Sequence, residues 1–72
     1  MNKDIELKKL SNRIKATRLE KKLSQEELAH KCDFDRTYIS LLERSKRNPS
    51  YFNLIRLCVG LEVSLSELLK DL

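Results

Sequence analysis

The chain is poor in the residues that make irregular or cross-linked proteins. It has one Gly, one Pro and no Trp in 72 residues, which excludes collagen-like repeats and Pro/Gly-rich low-complexity segments. It has one His and two Cys. His30, Cys32 and Cys58 share no recurring spacing and fall short of the four ligands of a structural zinc site, so no metal or cofactor is expected. No apolar run approaches the ~18 residues of a membrane span. The first ten residues carry Lys3, Asp4, Glu6, Lys8 and Lys9, a pattern foreign to a secretory leader. A cytoplasmic location with two reduced, buried thiols is therefore the expectation. There is no nucleophile–base set and no glycine-rich phosphate loop, and so short a chain leaves little room for a substrate cavity. Neither an enzyme nor a small-molecule receptor is expected.

What the chain does have is charge, unevenly placed. Lys plus Arg number 15 against 11 Asp plus Glu, a formal balance of +4. Residues 1–50 account for +5 and residues 51–72 for −1. A basic part joined to a near-neutral, leucine-rich part points to a polyanion at one end and a protein contact at the other.

Apolar residues make up 40% of the chain, enough for a modest core. Leu10, Ile14 and Leu19, with charges between them, mark a first helix. Four further helix starts then follow one grammar. Ser24 precedes Glu27 by three residues, a capping box, and Leu23 and Leu28 stand at the staple positions. Asp35 is the expected cap of the next helix, with Phe34 and Ile39 as staple. Ser50 follows, with Pro49 and Leu54 at the staple positions. Ser64 and Glu67 form a second capping box, with Val63 and Leu68 as staple. Nothing alternates with period two for long enough to be a strand. The prediction is all-α: a compact five-helix bundle forming a single domain over 1–72, with helices at about 4–21, 24–31, 35–44, 50–61 and 64–71.

The second and third helices are short and joined by about three residues, the helix–turn–helix arrangement over 24–44. The third is two-faced. At about 100° per residue, Ile39, Leu42 and Tyr38 fall in one arc, and Arg36, Thr37, Ser40, Leu41 and Arg44 in the other. The polar arc is what a helix seated in the major groove presents.

Leu23-Ser24-Gln25-Glu26-Glu27-Leu28-Ala29, Tyr38-Ile39-Ser40-Leu41-Leu42-Glu43-Arg44 and Asn48-Pro49-Ser50 closely resemble the lambda-repressor-like (xenobiotic-response-element, Xre) DNA-binding family. Asp35 to Ser40, Glu43-Arg44, Arg47-Asn48 and Gly60-Leu61-Glu62-Val63 are similar to the controller proteins of restriction–modification systems. The resemblance implies a homodimeric, sequence-specific DNA-binding transcriptional regulator acting on a palindromic operator, and, for controller proteins, autoregulation. An antitoxin or phage-type repressor of the same fold stands as an alternative, and so does a helical protein–protein adaptor.

Arg36, Thr37, Ser40 and Leu41 are then the expected base contacts, with Arg36 matched to guanine O6 and N7. The family often has a polar residue where Leu41 stands; Leu41 either touches a thymine methyl or is simply an exposed apolar residue. Ser24, Gln25, Tyr38, Arg44, Lys46, Arg47 and Asn48 are the expected phosphate contacts, although Tyr38 also borders the core arc. The resemblance further implies an ion pair between Arg18 and Glu43. It places dimerisation on the C-terminal helices over 50–71, with Tyr51, Arg56, Leu65, Leu69 and Leu72 as interface candidates. The sequence departs from the family at Lys22, Asp33 and Glu62, where connections usually hold glycine, and at Gly60, which stands inside a helix. Thr17 stands where a core leucine is usual.

Overall fold

The computed structural model describes residues 1–72. Its five helices are α1 (Lys3–Glu20), α2 (Gln25–Cys32), α3 (Arg36–Glu43), α4 (Tyr51–Leu61) and α5 (Leu65–Leu68). The first four agree with the predicted spans to within one residue at each end. The fifth is shorter than predicted. After Leu68 the chain closes Lys70 N–H onto Glu67 O and Leu72 N–H onto Leu69 O, and Asp71 turns to φ 62°. Leu68 is the last buried side chain, so the residues beyond it have no core to hold a longer helix.

The helix starts follow the predicted grammar with one correction. Ser24 Oγ accepts from Glu27 N–H at 3.0 Å while Ser24 N–H donates to Glu27 Oε1 at 2.8 Å. Ser64 and Glu67 repeat this arrangement at 3.0 Å in both directions. Ser50 Oγ accepts from Asn53 N–H at 3.1 Å. Asp35 has the extended backbone of an N-cap, but its side chain accepts no capping bond. Its carbonyl serves instead, taking Tyr38 N–H at 3.0 Å. Asn2, not singled out in the sequence, caps α1 through the N–H groups of Asp4 and Ile5.

The helix ends share a device as well. Lys22, Asp33, Ser45 and Glu62 all adopt left-handed backbone, with φ of 59–60°. At each, the next residue's N–H reaches back five positions: Leu23 to Arg18, Phe34 to Ala29, Lys46 to Leu41 and Val63 to Cys58. These are Schellman ends, and they satisfy carbonyls the helix leaves unpaired. In three of the four, the residue after the left-handed one is apolar and also begins the next helix's staple. One left-handed residue, one apolar residue and one cap residue make the whole connection between α2 and α3 and between α4 and α5; the α1–α2 connection adds Lys21. None of the four is glycine, so each bears the strain of a Cβ in this region, ~1–2 kcal/mol for an ordinary residue.

The core is formed by Ile14, Leu28, Ala29, Cys32, Ile39, Leu42, Leu57, Cys58, Leu61 and Leu68. α2 packs on both α3 and α4, while α1 closes the bundle against α3 and α5. Arg13 Nη1 ties α1 to the last helix by donating to Leu68 O at 2.9 Å. Gly60 faces α2 so closely that an added Cβ would run into Cys32 Sγ. Both cysteines are buried and unpaired. Burial pushes the Cys58 thiol up and the Cys32 thiol to about 11, so neither is a ready nucleophile. Thr17 is half-buried, and its hydroxyl donates back to Arg13 O at 2.8 Å.

Candidate nucleic-acid interface

The two faces of α3 separate as their chemistry requires. Ile39 and Leu42 are 0% exposed. Arg36, Thr37 and Arg44 are exposed, and Ser40 and Leu41 are half-buried on the same outward arc. Arg44 Nε donates to Ser40 Oγ at 3.3 Å, so these two share one turn of the polar face. Arg36 has no partner of either kind among the hydrogen bonds or ion pairs, which leaves its planar fork of donors free for a ligand.

α3 is seated by a buried polar network. Arg18, 7% exposed, and Glu43, 8% exposed, meet across the α1–α3 contact. Arg18 Nε donates to Glu43 Oε2 at 2.6 Å and Arg18 Nη2 to Glu43 Oε1 at 2.9 Å. Arg18 Nη1 also donates to Leu23 O at 2.8 Å, in the connection before α2. The Glu43 hydrogen bond holds the Arg18 guanidinium above its ordinary pKa, against the opposing effect of burial. A bidentate pair in which every guanidinium nitrogen has a hydrogen-bond partner is the geometry in which a buried charge pair is tolerated.

Gln25 joins this network from the first position of α2. Its Nε2 donates to Glu43 Oε1 at 3.1 Å. The bond brings the start of α2 against the end of α3 and leaves one amide N–H of Gln25 and its carbonyl oxygen uncommitted. Ser24 is exposed, but its hydroxyl already serves the capping box. Lys46, Arg47 and Asn48 are all exposed on the loop after α3. Lys46 N–H, bound to Leu41 O at 2.8 Å, starts that loop against the last turn of α3.

Tyr38 lies half-buried between the two faces. Its ring packs on Phe34 with centroids 4.7 Å apart, and its hydroxyl accepts from Asn53 Nδ2 at 2.9 Å. Its oxygen thus accepts a bond within the fold, from a residue 15 positions away that no local motif marks.

The C-terminal helices present the opposite chemistry. Tyr51, Phe52 and Val59 on α4 are 70%, 68% and 69% exposed. Leu69 and Leu72 are also exposed, and Leu65 is half-buried. Phe52 and Val59 were missed in the sequence; their spacing of seven puts both on one stripe of α4. Arg56, expected on the partner-facing side, turns its guanidinium inward to the helix–turn–helix connection. It donates from Nε and Nη2 to Cys32 O at 3.2 and 3.1 Å, and from Nη2 to Asp33 O. The available signal was that Arg56 is the one charged residue in α4.

Two short packed helices with an exposed polar arc on the second define a helix–turn–helix protein. The family described as helix-turn-helix matches residues 14–68. Control protein C.MunI from a Mycoplasma species is 46% identical over 70 residues, covering 96% of this chain and 93% of that protein. Among solved structures, the restriction–modification controller protein C.AhdI from Aeromonas hydrophila superposes with a TM-score of 0.86 at 38% identity. That match covers 89% of this chain and 97% of the other. The controller protein C.Esp1396I, solved as a tetramer with its natural 35 base-pair operator, matches with a TM-score of 0.83 at 48% identity. It covers 86% of this chain and 82% of that one. The chain belongs to the helix–turn–helix family and, within it, to the restriction–modification controller proteins.

Proposed function

We propose that this chain is a sequence-specific DNA-binding transcriptional regulator that acts as a homodimer on a palindromic operator, controlling a restriction–modification operon. The observation that carries the reading is the outward arc of α3, where Arg36 is exposed and unpartnered on a helix whose opposite arc is sealed in the core. Arg36, Thr37, Ser40 and Leu41 would meet base edges in the major groove. Gln25, Arg44, Lys46, Arg47 and Asn48 would hold the backbone and fix the register without reading sequence. The half-buried setting of Leu41 suits contact with a thymine methyl. The hydroxyls of Ser24 and Tyr38 accept bonds inside the fold, and each O–H would donate to a phosphate oxygen.

Tyr51 and the apolar stripe of α4, with Leu65, Leu69 and Leu72, would form the two-fold contact. One short helix reads few base pairs; a dimer doubles the interface and spaces its half-sites about one turn, roughly 34 Å, apart. The whole chain acts as one DNA-binding domain in the bacterial cytoplasm, and no catalytic step is assigned to it.

The test is selection from a pool of random duplexes, followed by sequencing. Enrichment of a palindrome with half-sites one helical turn apart is the expected result. Binding that is weak, selects no site and scarcely responds to salt would overturn the reading in favour of a helical adaptor, because phosphate contacts make DNA binding steeply salt-dependent.

A further inference from the structure

Arg56 sits on α4, yet the groups it binds belong to the end of α2 and the turn that follows it. The carbonyls of Cys32 and Asp33 lie at the C-terminal end of α2, where unpaired acceptors and the helix dipole both favour a cation. The guanidinium carbon of Arg56 stands 3.9 Å from the centroid of the Phe34 ring and 5.9 Å from that of Phe52. The same side chain therefore caps α2, stacks on the turn and borders the exposed stripe of α4. Asn53, one helical turn earlier, grips the far side of the connection through Tyr38 Oη on α3. Phe34 lies between these grips, against both Arg56 and Tyr38. Asp33, at the pivot, holds left-handed backbone, which Asp tolerates better than most residues with a Cβ.

We propose that Arg56 is a positioning residue for operator reading. It clamps the turn before α3 to α4, and so fixes the pose of each reading helix relative to the face that joins the two protomers. The inference rests on the DNA-reading, dimeric function proposed above and adds how half-site geometry is set. The clamp needs a planar fork that donates to two carbonyls while stacking on a ring. Lysine keeps the charge but supplies neither the fork nor the stack.

The experiment uses the full chain as wild type, Arg56→Lys and Asn53→Ala. Each is tested for thermal unfolding, for dimerisation by sedimentation, and for binding at one salt concentration. The duplexes are the selected operator, the same operator with its central spacer changed by one base pair, and a scrambled sequence. Arg56→Lys is expected to remain folded and dimeric and to bind the scrambled duplex within about twofold of wild type, since its charge is kept. It should lose about tenfold on the operator, the size of one mismatched base pair. Its discrimination between correctly and wrongly spaced operators should shrink by a similar factor. Asn53→Ala should shift the same readouts in the same direction by less, and it decides the matter if Arg56→Lys fails to fold. Operator and scrambled affinities that change in parallel, or unaltered spacing discrimination, would overturn the clamp alone. Failure of the wild type to prefer its operator would overturn the DNA-reading assignment and the clamp together.

Discussion

α3 and α4 are both amphipathic, and they expose opposite chemistries. α3 buries Ile39 and Leu42 completely and turns Arg36, Thr37 and Arg44 to water. α4 buries Leu57 and Leu61 completely and leaves Phe52 and Val59 more than two-thirds exposed. A polar face is content in water and binds only what matches its donors. An apolar face gains by being covered, at about 25 cal/mol per Å². The first is suited to selective, reversible recognition, the second to a standing partner. The seats differ in the same sense. α3 is held by a charged network through Glu43, whereas α4 is held by aliphatic packing, the single inward arginine and the Asn53–Tyr38 hydrogen bond.

Removing the charge that seats α3 should break the comparison most severely. Glu43→Ala leaves the Arg18 guanidinium buried without its carboxylate and should cost ~3–5 kcal/mol of stability. Urea or thermal unfolding reads this directly, and an unchanged midpoint contradicts a structural role for the pair. Next in size is a charge placed on the α4 stripe. Phe52→Glu should weaken self-association by about 2 kcal/mol, from the lost burial of one aromatic side chain, while the protomer stays folded. Sedimentation over a concentration series measures the shift, and an unaltered dimer would move the interface elsewhere.

A smaller effect sharpens the contrast between scaffold and reading face. Lys22→Gly relieves a left-handed Cβ and should stabilise the fold by about 1 kcal/mol without changing DNA affinity. A lower melting temperature would show that the turn gains from lysine in some other way. The smallest effect is in acid. The carboxyls of Glu27 and Glu67 lie below the ordinary carboxylate range, held first by the backbone N–H of Ser24 or Ser64 and then by the serine hydroxyl. Their folded values lie below their unfolded ones. Their contribution is therefore complete above about pH 4.3 and is lost as pH falls through the folded values. Melting temperatures between pH 7 and pH 3 should show a flatter acid limb for Glu27→Gln with Glu67→Gln, because a glutamine preserves the capping box without titrating. An identical acid limb contradicts the assignment.

The legible parts of this molecule were the local ones. Ser24–Glu27 and Ser64–Glu67 announce helix starts because both halves of each box lie within four residues. The strain at Lys22, Asp33 and Glu62 was visible as missing glycines; the same conformation at Ser45 was not, since serine marks no departure in that loop. The predicted α5 exceeds the observed one because Leu69 and Leu72 continue an apolar pattern that the fold has no core to receive. Asp35 has the residue type and the staple of a side-chain cap, but its backbone carbonyl takes the Tyr38 N–H instead. What escaped was contact across distance. Tyr38 with Asn53 and Arg56 with Cys32 are separated by 15 and 24 residues, and no spacing rule connects them. The Arg18–Glu43 pair, 25 residues apart, was anticipated only through the family resemblance.

The central claim is that α3 reads sequence and that Arg36 reads a guanine. The direct measurement is a binding cycle at fixed salt: wild type and Arg36→Ala, each against the selected operator and against that operator with one guanine per half-site replaced. Wild type is expected to lose ~1–3 kcal/mol per half-site on the base change, and Arg36→Ala to distinguish the two duplexes no longer. Full retention of the guanine preference by Arg36→Ala at every operator position would contradict it.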